Sequence, residues 1–349
     1  MVITGSACRS NINYQASSNF FGEQPIVGWN LGNSLDVYND SLRSAGIETV
    51  ETFWGNPVTS KALISEIRKA GFSAIRIPAT WYMHMDKNYN IDPAWLNRIQ
   101  KIVDYCIENN FFVIINAHHE NWYDPSDDNI QKALVIMEKV WKQIGQYFKN
   151  YDNRLLFEGM NEPRLQGDEN EWGAGTKNAR VNVNWLNQKF VNTIRELGGN
   201  NATRLLLVTT YCASNTETAI SDLDTSFFDK YILVSIHMYQ PMSFTSADTS
   251  ISTWDPDNID DTKELIWSFK ILNKYFVRKG IPVAITEFGT ADKNNELTRS
   301  IWVHYIKKNA SALGIPLFWW DNGKEYAIID RFTLKWLFPR IVSELTRSD

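Results

Sequence analysis

Short runs of β-branched and apolar residues alternate along the chain with longer segments in which apolar residues recur at helical spacing. This alternation is typical of repeated strand–helix units whose strands form a parallel sheet. The runs start about 30 to 50 residues apart, which leaves room for one crossover helix each. The eight predicted strands are residues 25–29, 73–77, 111–116, 154–159, 204–209, 231–236, 281–286 and 315–319. Because eight parallel strands can close on themselves, the pattern predicts a single-domain α/β protein with the (β/α)8, or TIM, barrel fold.

Capping and breaking residues stand at the ends of the helical segments. Thr59 is placed to cap a helix that Gly71 ends, and Asp92 followed by Pro93 opens the next. No hinge-like or low-complexity tract interrupts the alternation, so we expect residues 1–21 to be an N-terminal extension and residues 22–349 to be one barrel domain. An open doubly wound sheet is the alternative, but its chemistry would gather near one switch point, whereas here polar residues follow nearly every strand.

Composition narrows the class of partner. The 349 residues are 44% hydrophobic and 21% charged, as in a compact globular protein, and the net charge is -5. A negative chain has no electrostatic attraction for nucleic acid or for an anionic membrane, and no apolar run is long enough to span a bilayer. Residues 1–14 lack the features of a secretory signal, so we expect any export signal to lie outside this sequence. The partner is expected to be neutral.

Polar and aromatic residues cluster where the predicted strands end. In a barrel these ends converge on one rim, where active sites lie. The set comprises two glutamates, three histidines, an arginine, amides and aromatic residues: Asn33, Arg76, His118, His119, Asn161, Glu162, His237, Tyr239, Glu287, Trp319 and Trp320.

Two of these carboxylates suggest a reaction. Any single glutamate after a strand is better explained as a solvated charge or a helix cap. Glu162 and Glu287, however, follow strands four and seven, on opposite sides of a barrel. Glycoside hydrolysis needs two carboxyl groups flanking one bond, one protonated and one ionised. Arg76 can hold one carboxylate ionised, although a structural salt bridge is equally compatible with its position, and Asn161 can contact a sugar hydroxyl or simply form a turn.

The histidines raise the alternative of a metal site. Adjacent strand residues such as His118 and His119 point to opposite sides, and the helical two-histidine zinc motif is absent. We therefore predict no metal and no cofactor. Tryptophans are a further signal, because their flat faces suit pyranose rings. Eight of the fourteen, among them Trp54, Trp122, Trp319 and Trp320, lie at strand ends or in the segments that follow, where packing at the barrel top is the competing explanation.

Several strings together resemble glycoside hydrolase family 5, and in particular its broad endoglucanase subfamily four. They are GWNLGNSLD at 28–36, WGNP at 54–57, IRIPATW at 75–81, HHE at 118–120, FEGMNEPR at 157–164, HMY at 237–239, TEFG at 286–289 and FWWDNG at 318–323. Each string is weak alone, but the ordered set on the predicted strands is specific.

The resemblance implies a retaining endo-β-1,4-glucanase in which Glu162 is the acid/base and Glu287 the nucleophile. Supporting roles carry over to Arg76, His118, Asn161, His237, Tyr239 and Trp320, with the last as the sugar-stacking ring. Glucan contacts are implied for Asn33, Trp54, His119 and Trp122, and Trp319 is a further candidate. The expected partner is a β-glucan polysaccharide, the protein being secreted and monomeric. A mannanase or xylanase on the same scaffold, or a non-catalytic carbohydrate-binding barrel, is the alternative.

Overall fold

The computed structural model describes residues 26–347, in which eight parallel strands form a closed barrel in sequence order. The strands are β1 (Val27–Leu31), β2 (Ala74–Ile77), β3 (Phe112–Asn116), β4 (Leu155–Glu158), β5 (Leu206–Thr209), β6 (Ile232–Met238), β7 (Val283–Phe288) and β8 (Leu317–Asp321). A short antiparallel pair, β9 (Ile329–Asp330) and β10 (Lys335–Trp336), follows the barrel. The predicted TIM barrel is confirmed. The predicted N-terminal extension, residues 1–21, lies outside the described residues.

Helices connect the strands. The α-helices are α1 (Ile47–Glu51), α2 (Lys61–Lys69), α3 (Pro93–Glu108), α4 (Ile130–Tyr147), α5 (Lys177–Glu196), α6 (Glu217–Ser221), α7 (Met242–Thr245), α8 (Ile259–Tyr275), α9 (Glu296–Ala312) and α10 (Pro339–Thr346). Short 3-10 turns lie at Asp40–Leu42, Tyr82–His84, Gly199–Ala202, Tyr211–Ala213 and Val277–Lys279. Among residues 26–347, no helix combines the length and apolarity needed to cross a membrane.

One predicted helix cap is wrong and another is confirmed. Helix α2 is capped by Ser60, whose Oγ accepts the Leu63 N–H at 3.2 Å, rather than by Thr59. The Thr59 N–H instead donates to the buried Glu51 carboxylate at 2.7 Å. At α3 the Asp92 carboxylate accepts the Ala94 N–H at 2.8 Å and a proline takes the first helical position, as predicted.

Four strands run further than predicted. Strands β1, β6, β7 and β8 end at residues 31, 238, 288 and 321, each two residues past the predicted end. His237 and Glu287 therefore lie within strands instead of after them. The register between β6 and β7 shifts at Ile236/His237, and the register between β7 and β8 shifts between Ile285 and Phe288. The backbone is thus irregular where the rim side chains leave the sheet.

The barrel interior changes from apolar to polar along the strands. A small buried cluster takes one or two residues from within or directly before every strand except β7: Ile26, Ala74, Ile114, Leu156, Leu205, Leu207, Leu233 and Phe318. Gly28 belongs to this layer because a Cβ there would stand 2.1 Å from the Phe318 ring. Strand side chains alternate in direction, so the residues two positions later face inward too. Those residues are polar or aromatic (Asn30, Arg76, Asn116, Glu158, Ser235 and Trp320), and they form the floor of the site.

Candidate active site

Arg76 organises the polar layer from the centre of the barrel. Its side chain is fully buried, and Nε donates to Glu158 at 2.7 Å. Nη1 donates to Glu287 Oε1 at 2.6 Å and to Asn30 Oδ1 at 3.0 Å. Nη2 donates to Asn161 Oδ1 at 2.7 Å. The guanidinium is therefore both a structural ion-pair partner and the group that holds Glu287, so the two sequence interpretations of Arg76 are compatible.

Glu287 is held by two donors from different strands. Its Oε2 accepts the Tyr239 hydroxyl at 3.0 Å, while Arg76 binds Oε1. Burial and the negative charge of Glu162 raise the pKa of the Glu287 carboxyl, against the opposing effects of His237 and Arg76. Burial, together with the charge of Glu287, raises the pKa of Tyr239 well above its ordinary value, so this phenol stays protonated and donates.

Glu162 lies beyond the end of β4 and is more open than Glu287. Its side chain is 20% exposed, whereas that of Glu287 is 7% exposed. Its Oε1 lies 2.7 Å from His237 Nδ1, and the same nitrogen lies 3.5 Å from Glu287 Oε2. Oxygens of the two carboxylates and a His237 nitrogen all lie within 4.8 Å of one another. The predicted pair of glutamates thus meets across the barrel mouth.

Glu162 and His237 influence the pKa values of each other across a 2.7 Å contact. Burial opposes the protonation of His237, but Glu287 and Glu162 raise its pKa above the ordinary value. Burial acts to raise the pKa of Glu162, but the hydrogen bond and charge of His237 outweigh it, with help from Arg164 and His119, and lower that pKa. These directions describe the form with the proton on His237, in which Glu162 is ionised. Because each group shifts the pKa of the other, the two titrate as a unit.

His118 and Trp320 form the wall beside this pair. Asn116 Oδ1 accepts the Ala79 N–H at 3.1 Å, so its amide NH2 donates to His118 Nδ1 at 3.0 Å. The His118 proton therefore lies on Nε2. Burial lowers the pKa of His118 well below its ordinary value, which keeps the ring neutral. The ring lies parallel to that of Trp320, with centroids 5.7 Å apart.

Asn161 is oriented by the same polar layer. Because Arg76 donates to its Oδ1, the amide NH2 group faces away from the guanidinium. Asn161 lines the cleft beside Glu162, and its backbone N–H donates to the Ala117 carbonyl at 3.0 Å. The amide NH2 is thus not engaged by the guanidinium, and its contact with a sugar hydroxyl stays a prediction.

The cleft above these residues has a volume of about 520 Å³. Its walls combine the predicted rim residues with others outside the predicted site set, among them Trp172, Met242, Tyr326 and the segment 212–216. Cys212 and Ala213 both adopt left-handed backbone conformations, with φ of 55° and 48°. No local sequence signal marks these two positions, because the turn that brings them to the cleft depends on tertiary contacts.

The remaining predicted glucan contacts divide into two groups. Trp54 and His119 are partly exposed, and their ring centroids lie 6.2 Å apart. The exposed Tyr38 ring lies 4.5 Å from that of His119 and 5.6 Å from that of Trp54. Asn33 lies near Trp54, because its backbone carbonyl accepts a hydrogen bond at 2.8 Å from the side-chain amide of Asn56, two residues after Trp54. These side chains extend the rim on the β1–β3 side of the cleft.

Trp122 and Trp319 are not brought to the cleft, and the prediction is corrected for both. Trp319 is fully buried, donates from Nε1 to the Tyr326 carbonyl at 3.0 Å and packs edge-on against Phe288. Since neighbours on a strand point in opposite directions, the inward Trp320 requires Trp319 to face the helices. Trp122 is 3% exposed and donates to the buried Glu120 carboxylate at 2.5 Å. It lines a separate, smaller pocket with Tyr82 and Tyr89.

Two groups within residues 26–347 have the spacing of metal ligands: Asp36 with His118 and His119, and Glu162 with His237 and Glu287. In the first, both Asp36 oxygens already accept backbone N–H groups, from Asn33 and Ser34. In the second, the Arg76 guanidinium already supplies a positive charge to Glu287. Protein donors thus satisfy much of each group, and the expectation of no metal stays a prediction.

A closed (β/α)8 barrel with two carboxyl groups meeting at its mouth has the architecture of the barrel glycoside hydrolases. The chain belongs to glycosyl hydrolase family 5, whose cellulase sequence model matches residues 35–326. It is 41% identical over 333 residues to Endoglucanase A of Ruminococcus albus, covering 91% of this chain and 89% of that protein. The family predicted from the sequence motifs is confirmed.

Other relatives differ in length. The chain is 40% identical over 333 residues to Endoglucanase A of Clostridium longisporum, covering 92% of this chain and 64% of that protein. The match to the Cellulase/esterase CelE of Acetivibrio thermocellus is 41% identical over 331 residues and covers 92% of this chain but 39% of the relative. This chain therefore spans less than two thirds of either.

Among solved structures, a broad-specificity endoglucanase of subfamily GH5-4 from Ruminococcus champanellensis, with bound cellotriose, superposes with a TM-score of 0.90 at 38% identity. The match covers 95% of this chain and 98% of that one. A lichenase of family 5 from Caldicellulosiruptor gives a TM-score of 0.86 at 34% identity, covering 99% and 97%. The fold and its assignment to the family thus agree.

Proposed function

We propose that the chain is a retaining endo-β-1,4-glucanase that cleaves internal bonds of β-glucan chains by double displacement. The observation that carries the proposal is the approach of the Glu162 and Glu287 carboxylates, whose nearest oxygens lie within 4.8 Å. Retaining glycosidases hold their two carboxyl groups about 5 to 5.5 Å apart, whereas inverting enzymes need roughly 6.5 to 9.5 Å to admit a water between them.

The two environments assign the roles. Glu287 is nearly buried and fixed by Arg76 and Tyr239, both of which stabilise its ionised form through hydrogen bonds. A fixed carboxylate suits a nucleophile. Glu162 is more exposed and only its Oε1 is engaged by His237, so its other oxygen can give and recover a proton at the cleft surface. With His237 protonated, the pKa of Glu162 is lowered and that of Glu287 is raised, which by itself would make Glu287 the acid. The roles are assigned instead from the hydrogen bonds to the two carboxylates, because these do not depend on the protonation of His237.

The first step forms a glycosyl ester. A Glu287 oxygen attacks the anomeric carbon while Glu162 transfers its proton to the glycosidic oxygen, and the bond from that carbon to the leaving chain breaks. In the second step Glu162, now ionised, takes a proton from a water that attacks the same carbon. The ester bond breaks, and Glu287 leaves as a carboxylate. Both glutamates return to their starting state with one water consumed.

The surrounding residues position the sugar. The Asn161 amide faces the cleft as a donor to a hydroxyl next to the reacting carbon, where such contacts strengthen in the transition state. His118 presents its Nε2 proton, and Trp320 presents a flat face to the pyranose ring. Trp54, His119 and Asn33 extend the rim along a longer chain.

The substrate is proposed to be a neutral β-1,4-linked glucan, including mixed-linkage glucan and xyloglucan. Three structural relatives are named for activities on such substrates: a broad-specificity endoglucanase, a lichenase and a xyloglucan-specific endo-β-1,4-glucanase. In this chain an open cleft with walls of aromatic and amide side chains, and with its cationic Arg76 buried on the floor, suits a polymer of neutral sugars.

Reducing-sugar release from purified polysaccharides tests this proposal. We expect activity on carboxymethyl cellulose, barley β-glucan and xyloglucan at rates above those on mannan and xylan, and none from Glu287→Gln. Preference for mannan or xylan would reassign the substrate. Absence of activity on all five polysaccharides, with binding retained, would favour a carbohydrate-binding barrel.

We also propose that the protein is secreted and monomeric. Fractionation of the native host tests secretion, and light scattering of the purified protein tests the monomeric state.

A further inference from the structure

Arg164 lies close to the acid/base glutamate without bonding to its carboxylate. Its Nη1 is 3.6 Å from Glu162 Oε2, and the same nitrogen donates to the Glu162 backbone carbonyl at 3.2 Å. Its Nε donates to Glu171 Oε1 at 2.9 Å. Held from both sides, the guanidinium places a positive charge beside Glu162 but stops short of hydrogen-bond distance.

The loop between β4 and α5 is built to keep this arrangement. The Trp172 ring covers Arg164, with its centroid 4.5 Å from Cζ. The second Glu171 oxygen accepts the Gly167 N–H at 2.9 Å. From the turn after β5, the Tyr211 hydroxyl accepts the Leu165 N–H at 3.0 Å and donates to the Glu171 carbonyl at 2.9 Å. Glu171 and Trp172 are thus fixed relative to the barrel, and Arg164 with them.

The two oxygens of Glu162 have different surroundings. Oε1 is engaged by His237 at 2.7 Å. Oε2 accepts no hydrogen bond from residues 26–347, and the Arg164 Nη1 lies 3.6 Å from it. Oε2 is therefore the oxygen that can face a glycosidic oxygen in the cleft. A closer guanidinium would occupy this oxygen and hold it ionised.

We propose that Arg164 is a positioning residue for the acid/base step, and that its clamp of Glu171 and Trp172 sets how strongly its charge acts on Glu162. The inference rests on the proposed function. Arg164 favours return of Glu162 to the carboxylate after it has given up its proton, while the 3.6 Å gap leaves Oε2 free for the leaving oxygen. The clamp balances these two requirements.

Other charged and titratable groups also face Glu162, and the test leaves them unchanged. They are His237 on β6, Tyr239 directly after β6, Glu287 on β7, His119 and Tyr123 after β3, and Cys212 after β5. Burial acts to raise the pKa of Glu162, whereas His237, Arg164 and His119 lower it. Removing one positive charge should therefore raise that pKa.

The experiment is the pH profile of kcat/KM on a soluble glucan. An acid catalyst must be protonated, so its pKa appears as the alkaline limb. In Arg164→Gln we expect the alkaline limb to move to higher pH by about half a pH unit or more, because a positive charge near 4 Å from Glu162 is lost. In Glu171→Gln we expect the limb to fall, because the released guanidinium can close on Oε2. Arg164→Lys, which keeps the charge, should return the limb toward the wild-type position.

Arg180→Gln is the matched control. Arg180 Nη1 donates to the Ala174 and Gly175 carbonyls at 2.8 Å each, so its loss loosens the same loop without removing charge beside Glu162. We expect a lower Tm and an unmoved limb. Equal limbs in wild type, Arg164→Gln and Glu171→Gln would overturn the inference while leaving the glucanase intact. If Arg164→Gln does not fold, a Glu171→Gln limb at or above that of wild type overturns it alone. A wild-type protein without glycosidase activity would overturn both proposals.

Discussion

The two glutamates of the cleft sit in contrasting surroundings. Glu287 projects from strand β7 into a buried network in which Arg76 and Tyr239 occupy both its oxygens. Glu162 follows strand β4 on a loop, with one oxygen engaged by His237 and the other open to the cleft. The barrel wall therefore fixes one carboxylate, and a loop carries the other where protons can enter and leave.

This difference teaches how one fold supports two carboxylate roles. Rigid strands supply the precision that covalent attack requires, because a displaced nucleophile loses much of its reactivity. Proton transfer requires instead a group whose protonation can change during the cycle. A substitution at one of the two carboxylates should therefore change its own step and leave the surroundings of the other carboxylate in place.

The largest effect is expected at the nucleophile. Glu287→Gln keeps the shape of the side chain but removes the attacking oxygen anion, so kcat should fall about 10⁴-fold or more. Glu169→Gln, at an exposed site on the loop that follows β4, is the matched control and should stay near wild type. Initial rates on carboxymethyl cellulose measure both. Activity of Glu287→Gln within tenfold of wild type would refute its role.

The acid/base side should respond in a way that depends on the leaving group. Glu162→Gln should lose about 10²- to 10⁴-fold on glucan, whose leaving oxygen needs a proton. An aryl cellobioside with an acidic phenol leaves unaided, so its first turnover should stay fast and the second step should become limiting. Stopped-flow measurement of phenol release should therefore show a burst. A uniform loss on both substrates, with no burst, would contradict the assignment.

The buried ion pairs of Arg76 should also contribute to the stability of the fold. Arg76→Met leaves Glu158 and Glu287 buried without their counter-ion, which should lower the free energy of unfolding by about 3 to 5 kcal/mol. Lys263→Met breaks the exposed ion pair with Asp260, so its urea midpoint should stay close to that of wild type. Urea titration of both variants provides the comparison. Similar costs for the two would mean that the buried network does not hold the barrel mouth.

A smaller effect is expected from the second donor to Glu287. Tyr239→Phe removes one hydrogen bond to a charged group, which should reduce kcat about 10- to 100-fold. The nucleophile must be ionised, and loss of a donor raises its pKa, so the acidic limb of the kcat/KM profile should move to higher pH. Tyr326→Phe, on the same cleft wall, should leave that limb in place. An acidic limb unchanged in Tyr239→Phe would show that this phenol does not stabilise the Glu287 carboxylate.

The sequence predicts the glutamate pair because of a property of the fold. The carboxyl ends of all eight strands converge, so residues 125 positions apart, as Glu162 and Glu287 are, become neighbours once the barrel is recognised. Arg76 follows from the same rule. Its simultaneous contact with Glu158, Glu287 and Asn161 does not, since that depends on the depth of each strand in the barrel.

The errors have equally physical causes. Strands β6 and β7 continue past the predicted ends because irregular register lets His237 and Glu287 stay in the sheet. Trp319 was expected in the cleft because of its position near a strand end, but alternation along β8 turns it outward. Trp172 and Arg164 meet through a loop that Tyr211 fixes from the turn after β5, and such long-range contacts leave no local pattern in the sequence.

The most direct measurement is to trap the covalent intermediate. An activated 2-deoxy-2-fluoro-cellobioside slows the second step more than it slows the first, so a retaining enzyme accumulates its glycosyl ester. Mass spectrometry of the digested protein should then find one fluorocellobiosyl group, on the peptide that contains Glu287. A label on Glu162, or full hydrolysis with no labelled peptide and an inverted anomer as product, would contradict the division of roles between the two glutamates.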